Sequence, residues 1–183
     1  MEIKKFNILG PLLFQPKKQV DDRGYFAETF KQNTFKQATG SNLLFVQDNL
    51  SVSIKKGTLR GLHFQMPDQA QGKLVSCRKG SILDVIVDIR KNSDTYAKYI
   101  AIELSEKSPD QLWVPPGFLH GYITTQNNCE VVYKVTNYYC PKSESTIVWN
   151  DKSLDINWGT NNPIVSEKDK IGKNFNSFES PFL

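Results

Sequence analysis

Apolar and polar residues alternate along much of this chain, and turn residues break the alternation at short intervals. From Phe45 to Ile54, Val46, Leu50, Val52 and Ile54 fall on one face and Gln47, Asn49, Ser51 and Ser53 on the other, the period of a strand with two unlike faces. Lys55-Lys56-Gly57 then reads as a turn. Further strand-like runs follow at Leu74–Cys77, at Ser81–Ile89 after the Lys79-Gly80 turn, and at Tyr99–Leu104, Leu112–Val114, His120–Thr124 and Val131–Tyr139. Asp84 and Asp88 share one face of their run. Many short strands at close spacing predict an all-β jelly roll, sandwich or barrel. Helix is expected only at Lys31–Thr39, stopped by Gly40, and at Ser166–Lys173, where Gly172 weakens it.

The polar face of Phe45–Ile54 leaves two readings open. It is either the wet side of a sheet or the wall of a ligand cavity inside a small barrel, which needs convergent polar groups. Periodicity alone does not separate them.

Composition narrows the class. With 183 residues, 39% apolar and 23% charged, the chain suits one domain spanning 1–183 with a substantial core. The net charge of +4 is scattered rather than clustered, which argues against nucleic acid. No apolar stretch is long enough to span a bilayer. The apolar segment Ile8–Phe14 is broken by Gly10-Pro11 and lacks a cleavage pattern, so a signal peptide is not expected. Cys77, Cys129 and Cys140 are odd in number and lack metal-type spacing, as for buried free thiols of a cytoplasmic protein. No Gly-rich phosphate loop joins a strand to a helix.

The chemistry centres on two histidines, the only ones in the chain. His63 lies in Gly61-Leu62-His63-Phe64-Gln65 and His120 in Pro115-Pro116-Gly117-Phe118-Leu119-His120-Gly121. Neutral imidazole moves protons near neutral pH, although a buried histidine is more often structural. Strand parity groups His63 with Leu59, Gly61 and Gln65 and sets Arg60 on the opposite face, unless the strand bends at Gly61. The segment Pro115–His120 fits the P-x-G-x-x-H half of the cupin pattern, but His63-Phe64-Gln65 lacks the second histidine of a metal cupin. A metal is therefore not expected. Lys73 is either a surface lysine or an ammonium at a barrel mouth that steadies an oxyanion. Tyr133 is either core or a general acid. Asp169, in Ser166-Glu167-Lys168-Asp169, is either part of a capping box or the carboxylate partner of His63.

Together these motifs resemble the dTDP-4-dehydrorhamnose 3,5-epimerase family. The matching stretches are Asp22–Glu28, Gln47–Ser51, Gly57–Gln65, Gln71–Val75, Asp84–Arg90, Pro115–Gly121, Tyr133-Lys134, Tyr138–Pro141, Trp149–Asp151 and Ser166–Asp169. The resemblance runs from about Arg23 to Asp169 and implies a cupin-like jelly roll. It implies cofactor-free inversion of C3 and C5 of a nucleotide-linked 4-keto-6-deoxyhexose. His63 would be the base, Asp169 its orienting partner, Lys73 the enolate stabiliser and Tyr133 the acid on the opposite ring face. Arg23, Arg60 and Lys168 would lie near the pyrophosphate or nucleotide. Glu28, Gln47, Asn49, His120 and Glu144 would make polar contacts, and Phe26 and Tyr139 would pack on base or sugar. The segment holding Arg23, Phe26 and Glu28 would reach a neighbouring subunit's site, so a homodimer is implied. The alternatives are a 3- or 5-epimerase acting on another nucleotide 4-keto sugar, a metal-dependent cupin enzyme and a catalytically silent sugar-nucleotide binder. The tail Asn174–Leu183 matches no motif; it would dock on the barrel or on a partner.

Overall fold

The computed structural model describes residues 1–183. Its strands are β1 (Glu2–Lys5), β2 (Leu12–Gln15), β3 (Gln19–Asp21), β4 (Gly24–Phe26), β5 (Gln47–Ser53), β6 (Thr58–Gln65), β7 (Lys73–Lys79), β8 (Ser81–Asp88), β9 (Tyr99–Ser105), β10 (Gln111–Val114), β11 (Phe118–Thr124), β12 (Cys129–Val135), β13 (Glu144–Thr146) and β14 (Ile164–Val165). The helices are α1 (Gln32–Thr39) and α2 (Glu167–Lys170). One sheet has the order β1-β2-β10-β7-β12-β5 and the facing one β13-β6-β11-β8-β9, with β14 added in parallel to β6. β3 and β4 form a separate hairpin. This is the expected all-β, cupin-like jelly roll.

Between the sheets lies an apolar core that includes Val75, Cys77, Ile82, Ile86, Leu104, Leu112, Phe118 and Val131. Burying each large aliphatic side chain contributes about 1.5–3 kcal/mol. Two further clusters cover the outer faces. α1 sets Phe35 against Phe14, Leu74 and Trp113 on the first sheet, and Gly40 ends it in the left-handed conformation at φ 67°, which glycine adopts without steric penalty. On the second sheet, Leu62, Phe64, Val85 and Val87 pack under Ile147, Leu154, Trp158 and Phe175. The tail docks here on its own chain: Phe178 and Phe182 meet Phe64 edge-on, and the Lys91 amide donates to the Phe182 carbonyl at 3.0 Å.

β5 answers the question its pattern raised. Gln47, Asn49, Ser51 and Ser53 face inward, while Leu50, Val52 and Ile54 are 62%, 51% and 72% exposed. The polar side is the barrel wall, and the apolar side is the outside of an edge strand.

Two expectations need correction, and some strands were unexpected. The run Val131–Tyr139 ends as a strand at Val135, so Tyr138 and Tyr139 belong to a loop. The second helix is shorter than Ser166–Lys173, with Ser166 as its cap. The strands β1 to β4, β13 and β14 were not foreseen.

Candidate active site

One end of the barrel is filled by the apolar core; the other is hollow because its inward side chains are polar. A cavity of about 540 Å³ is lined by Arg60, His63, Lys73, His120, Tyr122 and Tyr133, with Tyr139, Glu144, Lys168 and Asp169 at its rim. A lobe of about 310 Å³ shares His63, Lys73, Tyr133, Tyr139 and Glu144, and adds Gln47, Asn49, Gln65 and Gln71.

Arg60 and His63 enter the same hollow because β6 is bulged. Opposite it, β11 places Tyr122 against Arg60 and His120 against His63, two steps facing three, and the register shifts between them. The extra residue changes strand parity. Leu59, Leu62 and Phe64 therefore join the outer core, contrary to the parity that grouped Leu59 with His63. The bulge needs glycine. Gly61 has φ +131°, and a Cβ there would sit 2.5 Å from Gly121 Cα. Gly121 is equally confined, since its Cβ would meet the Arg60 carbonyl at 2.8 Å.

His63 Nε2 lies 2.6 Å from Asp169 Oδ1. Asp169 arrives on α2, where its backbone N–H donates to the Ser166 hydroxyl at 3.2 Å. The two readings of this residue thus coexist: the backbone completes the cap and the carboxylate holds the imidazole. Asp169 Oδ2 also accepts from the Gly61 N–H at 3.2 Å. Burial opposes ionisation of Asp169, but the bonds from His63, Gly61 and Ser166 outweigh it and lower its pKa. An ionised carboxylate only accepts, so neutral His63 carries its proton on Nε2 and keeps a lone pair on Nδ1, which has no protein partner. That is the state a base requires.

Tyr133 approaches from the opposite sheet, on β12 between Asn49 of β5 and Val75 of β7. Burial raises its pKa; Arg60 opposes and Glu144 reinforces the shift. The phenol stays protonated and able to donate. Burial lowers the pKa of Lys73 to about 8, with Asp84 and Glu144 pulling the other way. His120 Nε2 lies 3.0 Å from both oxygens of Asp84. Tyr122 donates to the Ser51 hydroxyl at 2.8 Å, and burial pushes its pKa up to about 12.

At the rim Tyr139 donates to Glu144 at 2.7 Å, and Lys168 also pairs with Glu144. Gln65, where a metal cupin carries a further histidine, commits its amide to the surrounding loops. It donates to the Gln69 and Tyr138 carbonyls at 2.5 and 3.2 Å and accepts from the Cys140 N–H at 2.7 Å.

The fold thus gathers His63, Lys73, Tyr133, Asp169, Arg60, His120, Tyr139, Glu144 and Lys168 around one hollow, with Gln47 and Asn49 in its lobe. Arg23, Phe26 and Glu28 are not brought to it. They lie on or just after the exposed β3–β4 hairpin, where Arg23 pairs with Asp21 at 2.6 Å. Sequence reasoning missed Tyr122 and the role of Asp84. Both follow from strand parity with His120 and with the inward Ile82 and Ile86, a signal that was present but unused.

A jelly roll whose interior holds a carboxylate-oriented imidazole, an opposed phenol and a lysine defines a proton-transferring isomerase of the cupin-like kind. The family model described as dTDP-4-dehydrorhamnose 3,5-epimerase matches residues 5–177. The dTDP-4-dehydrorhamnose 3,5-epimerase of Shigella flexneri is 46% identical over 175 residues, covering 96% of each chain. The crystal structure of the Elizabethkingia anophelis enzyme of that name superposes with TM-score 0.92 at 40% identity, covering 96% of this chain and 97% of that one. A dTDP-6-deoxy-D-glucose-3,5-epimerase from Legionella pneumophila, solved with dTDP-4-keto-L-rhamnose, superposes with TM-score 0.94 at 38% identity, covering 100% of this chain and 98% of that one. The chain belongs to the dTDP-4-dehydrorhamnose 3,5-epimerase family.

Proposed function

We propose that this protein inverts C3 and C5 of dTDP-4-dehydro-6-deoxy-D-glucose, giving dTDP-4-dehydro-L-rhamnose for dTDP-rhamnose formation. The observation that carries the reading is the placement of His63 and Tyr133 on facing sheets around one cavity. Epimerisation needs a base on one face of the ring and an acid on the other, because returning a proton to its original face changes nothing. The 4-keto group acidifies the protons at C3 and C5. His63 Nδ1 takes one, leaving an enolate whose oxygen the Lys73 ammonium steadies. Asp169 supports the imidazolium that forms. Tyr133 then gives its proton to the carbanion carbon from the opposite face, and exchange with solvent restores both groups before the second carbon reacts. The reaction is closed in protons and electrons without a cofactor.

Arg60 and Lys168 suit the pyrophosphate, since charge-assisted hydrogen bonds favour phosphate oxygens. Gln47, Asn49, His120, Glu144 and Tyr139 supply the remaining contacts. Residues 1–183 act as one domain, and the working unit is a homodimer. Its support is the exposed apolar row Val46, Leu50, Val52 and Ile54 on an edge strand, together with Val20, Tyr25 and Phe26 on the hairpin, surface that protein contacts cover. In that dimer Arg23, Phe26 and Glu28 complete the partner's site. The enzyme works in the cytoplasm, where its three free cysteines stay reduced.

Incubation with dTDP-4-keto-6-deoxyglucose in deuterated water, followed by NMR, tests the reaction. The expected product carries deuterium at C3 and C5 with both centres inverted. Label at C3 alone would make it a 3-epimerase, and activity that requires added metal would refute the cofactor-free route.

A further inference from the structure

Asp84 shares the inward face of β8 with the core residues Ile82 and Ile86 and does not line the hollow. It sits on β8, is 0% exposed, and its carboxylate bonds only to His120 Nε2, 3.0 Å from each oxygen. A wholly buried carboxylate needs compensation. The imidazole beside it lies in the same enclosure: burial lowers the pKa of His120, Asp84 opposes, and Lys73 and His63 add to the lowering. Burial thus favours the neutral form of His120, which donates its Nε2–H to Asp84 as a hydrogen bond and contributes no charge. The balancing cation is Lys73 on the opposite sheet, which forms no ion pair of its own. Glu144 also attracts Lys73, but its carboxylate is already engaged by Lys168 and Tyr139.

We infer that Asp84 is a positioning residue for the epimerisation, holding Lys73 as an ammonium across the working pH range and fixing His120 as the Nε2–H tautomer. This rests on the epimerase reading, in which a charged Lys73 meets the enolate oxygen. The groups around Lys73 divide by element. Asp84 comes from β8, His120 and Tyr122 from β11, Arg60 and His63 from β6, Tyr133 from β12 and Glu144 from β13. Lys168 and Asp169 come from α2; Asp84, Glu144 and Asp169 are the anions, Glu144 paired with Lys168 and Asp169 with His63, and Arg60 is a further cation. Removing the Asp84 charge leaves the enclosed lysine only Glu144 as an attracting carboxylate, one already paired with Lys168, and this favours the neutral amine.

The sign follows. Turnover requires the ammonium, so it falls as pH rises through the pKa of Lys73, about 8. Asp84→Asn lowers that pKa, and the alkaline limb moves to lower pH. The test is a pH profile of kcat for wild type and Asp84→Asn, with a ¹³C titration of the Lys73 ε-carbon in each protein. The expected result is a limb and an ε-carbon midpoint both displaced downward by about one unit, meaning a roughly fivefold loss at pH 8, approaching tenfold at higher pH, and a much smaller loss at pH 6.5. dTDP binding should stay within about threefold, since one pKa unit is a tenfold population change. A uniform loss at every pH with both midpoints unmoved would make Asp84 merely structural and overturn the inference. If Asp84→Asn does not fold, ¹⁵N spectra of wild type decide: His120 neutral with its proton on Nε2 between pH 6 and 8 is expected, and a cationic or Nδ1–H His120 overturns it. The ε-carbon titration needs no turnover. If the protein fails to epimerise but the lysine still shifts, the epimerase reading fails and the coupling stands.

Discussion

Asp169→Asn is a nearly isosteric change, and the structure says what it does. Asp169 faces two groups: the Gly61 N–H on Oδ2 and His63 Nε2 on Oδ1. An asparagine has one acceptor and one donating end. If its oxygen keeps Gly61, its NH₂ faces His63 Nε2, which must then accept; the imidazole proton moves to Nδ1 and the base is blocked. If it flips, the buried Gly61 N–H faces a donor and loses its partner, an effect of about 1–3 kcal/mol. The competent orientation is therefore the minor one by roughly 5- to 150-fold, at about 1.4 kcal/mol per tenfold. The charge that steadied the imidazolium is also gone, for about a further tenfold, the difference between charged and neutral hydrogen bonds. Turnover should drop by about 10² to 10³. The assay is NMR in deuterated water, scoring both solvent exchange and inversion, with dTDP affinity measured by calorimetry. Exchange and inversion should fall together while dTDP affinity holds. A loss under about fivefold would refute the tautomer reasoning, as would an affinity loss matching the kinetic one.

Under the proposed mechanism Tyr133→Phe removes the acid and leaves the base. Solvent exchange at the first carbon should persist while net inversion falls at least about tenfold, the lower range of general-acid effects; the same NMR assay reads both. Gly121→Ala forces a Cβ to 2.8 Å from the Arg60 carbonyl. The bulge should open, with destabilisation of about 1–3 kcal/mol for overpacking in chemical denaturation and loss of activity. Leu50→Asp with Val52→Asp places charges on the exposed side of β5, so sedimentation should show a folded, inactive monomer, and an unchanged dimer would put the interface elsewhere. Phe35→Ala empties the α1 contact with Trp113, whose ring centroid is 4.8 Å away. It should lower stability by about 3–5 kcal/mol while leaving dTDP affinity intact at low temperature.

Much of this was legible before the structure. Strand-like runs between turn residues located β5 and β7 to β12 within a few residues, by alternation in β5 and by apolar runs bounded by turns in the buried β8, β10 and β11. They missed β1 to β4, β13 and β14. β3 and β4 are exposed throughout, so burial leaves no period in them, and β2 falls in the apolar segment Ile8–Phe14, whose Gly10-Pro11 break masks a strand only four residues long. The same rule misplaced Leu59, because a two-residue period cannot register the extra residue at the Gly61 bulge. Asp169 shows another limit: a cap motif is local, while its carboxylate meets a histidine 106 residues away. Local pattern left the pairing as one of two readings, and only the family resemblance chose it. Asp84 stood in plain view on an apolar strand, and its meaning appeared once β11 was laid beside β8.

The central claim is that a 4-keto sugar lies between an imidazole and a phenol. A crystal structure with dTDP-L-rhamnose, a stable relative of the product, tests it most directly. His63 Nδ1 should lie over one face of the hexose ring at C3 or C5, Tyr133 Oη over the other, and Lys73 Nζ beside the oxygen at C4. A hexose that leaves both residues on one side of its ring, or that sits outside the space between β6 and β12, contradicts it.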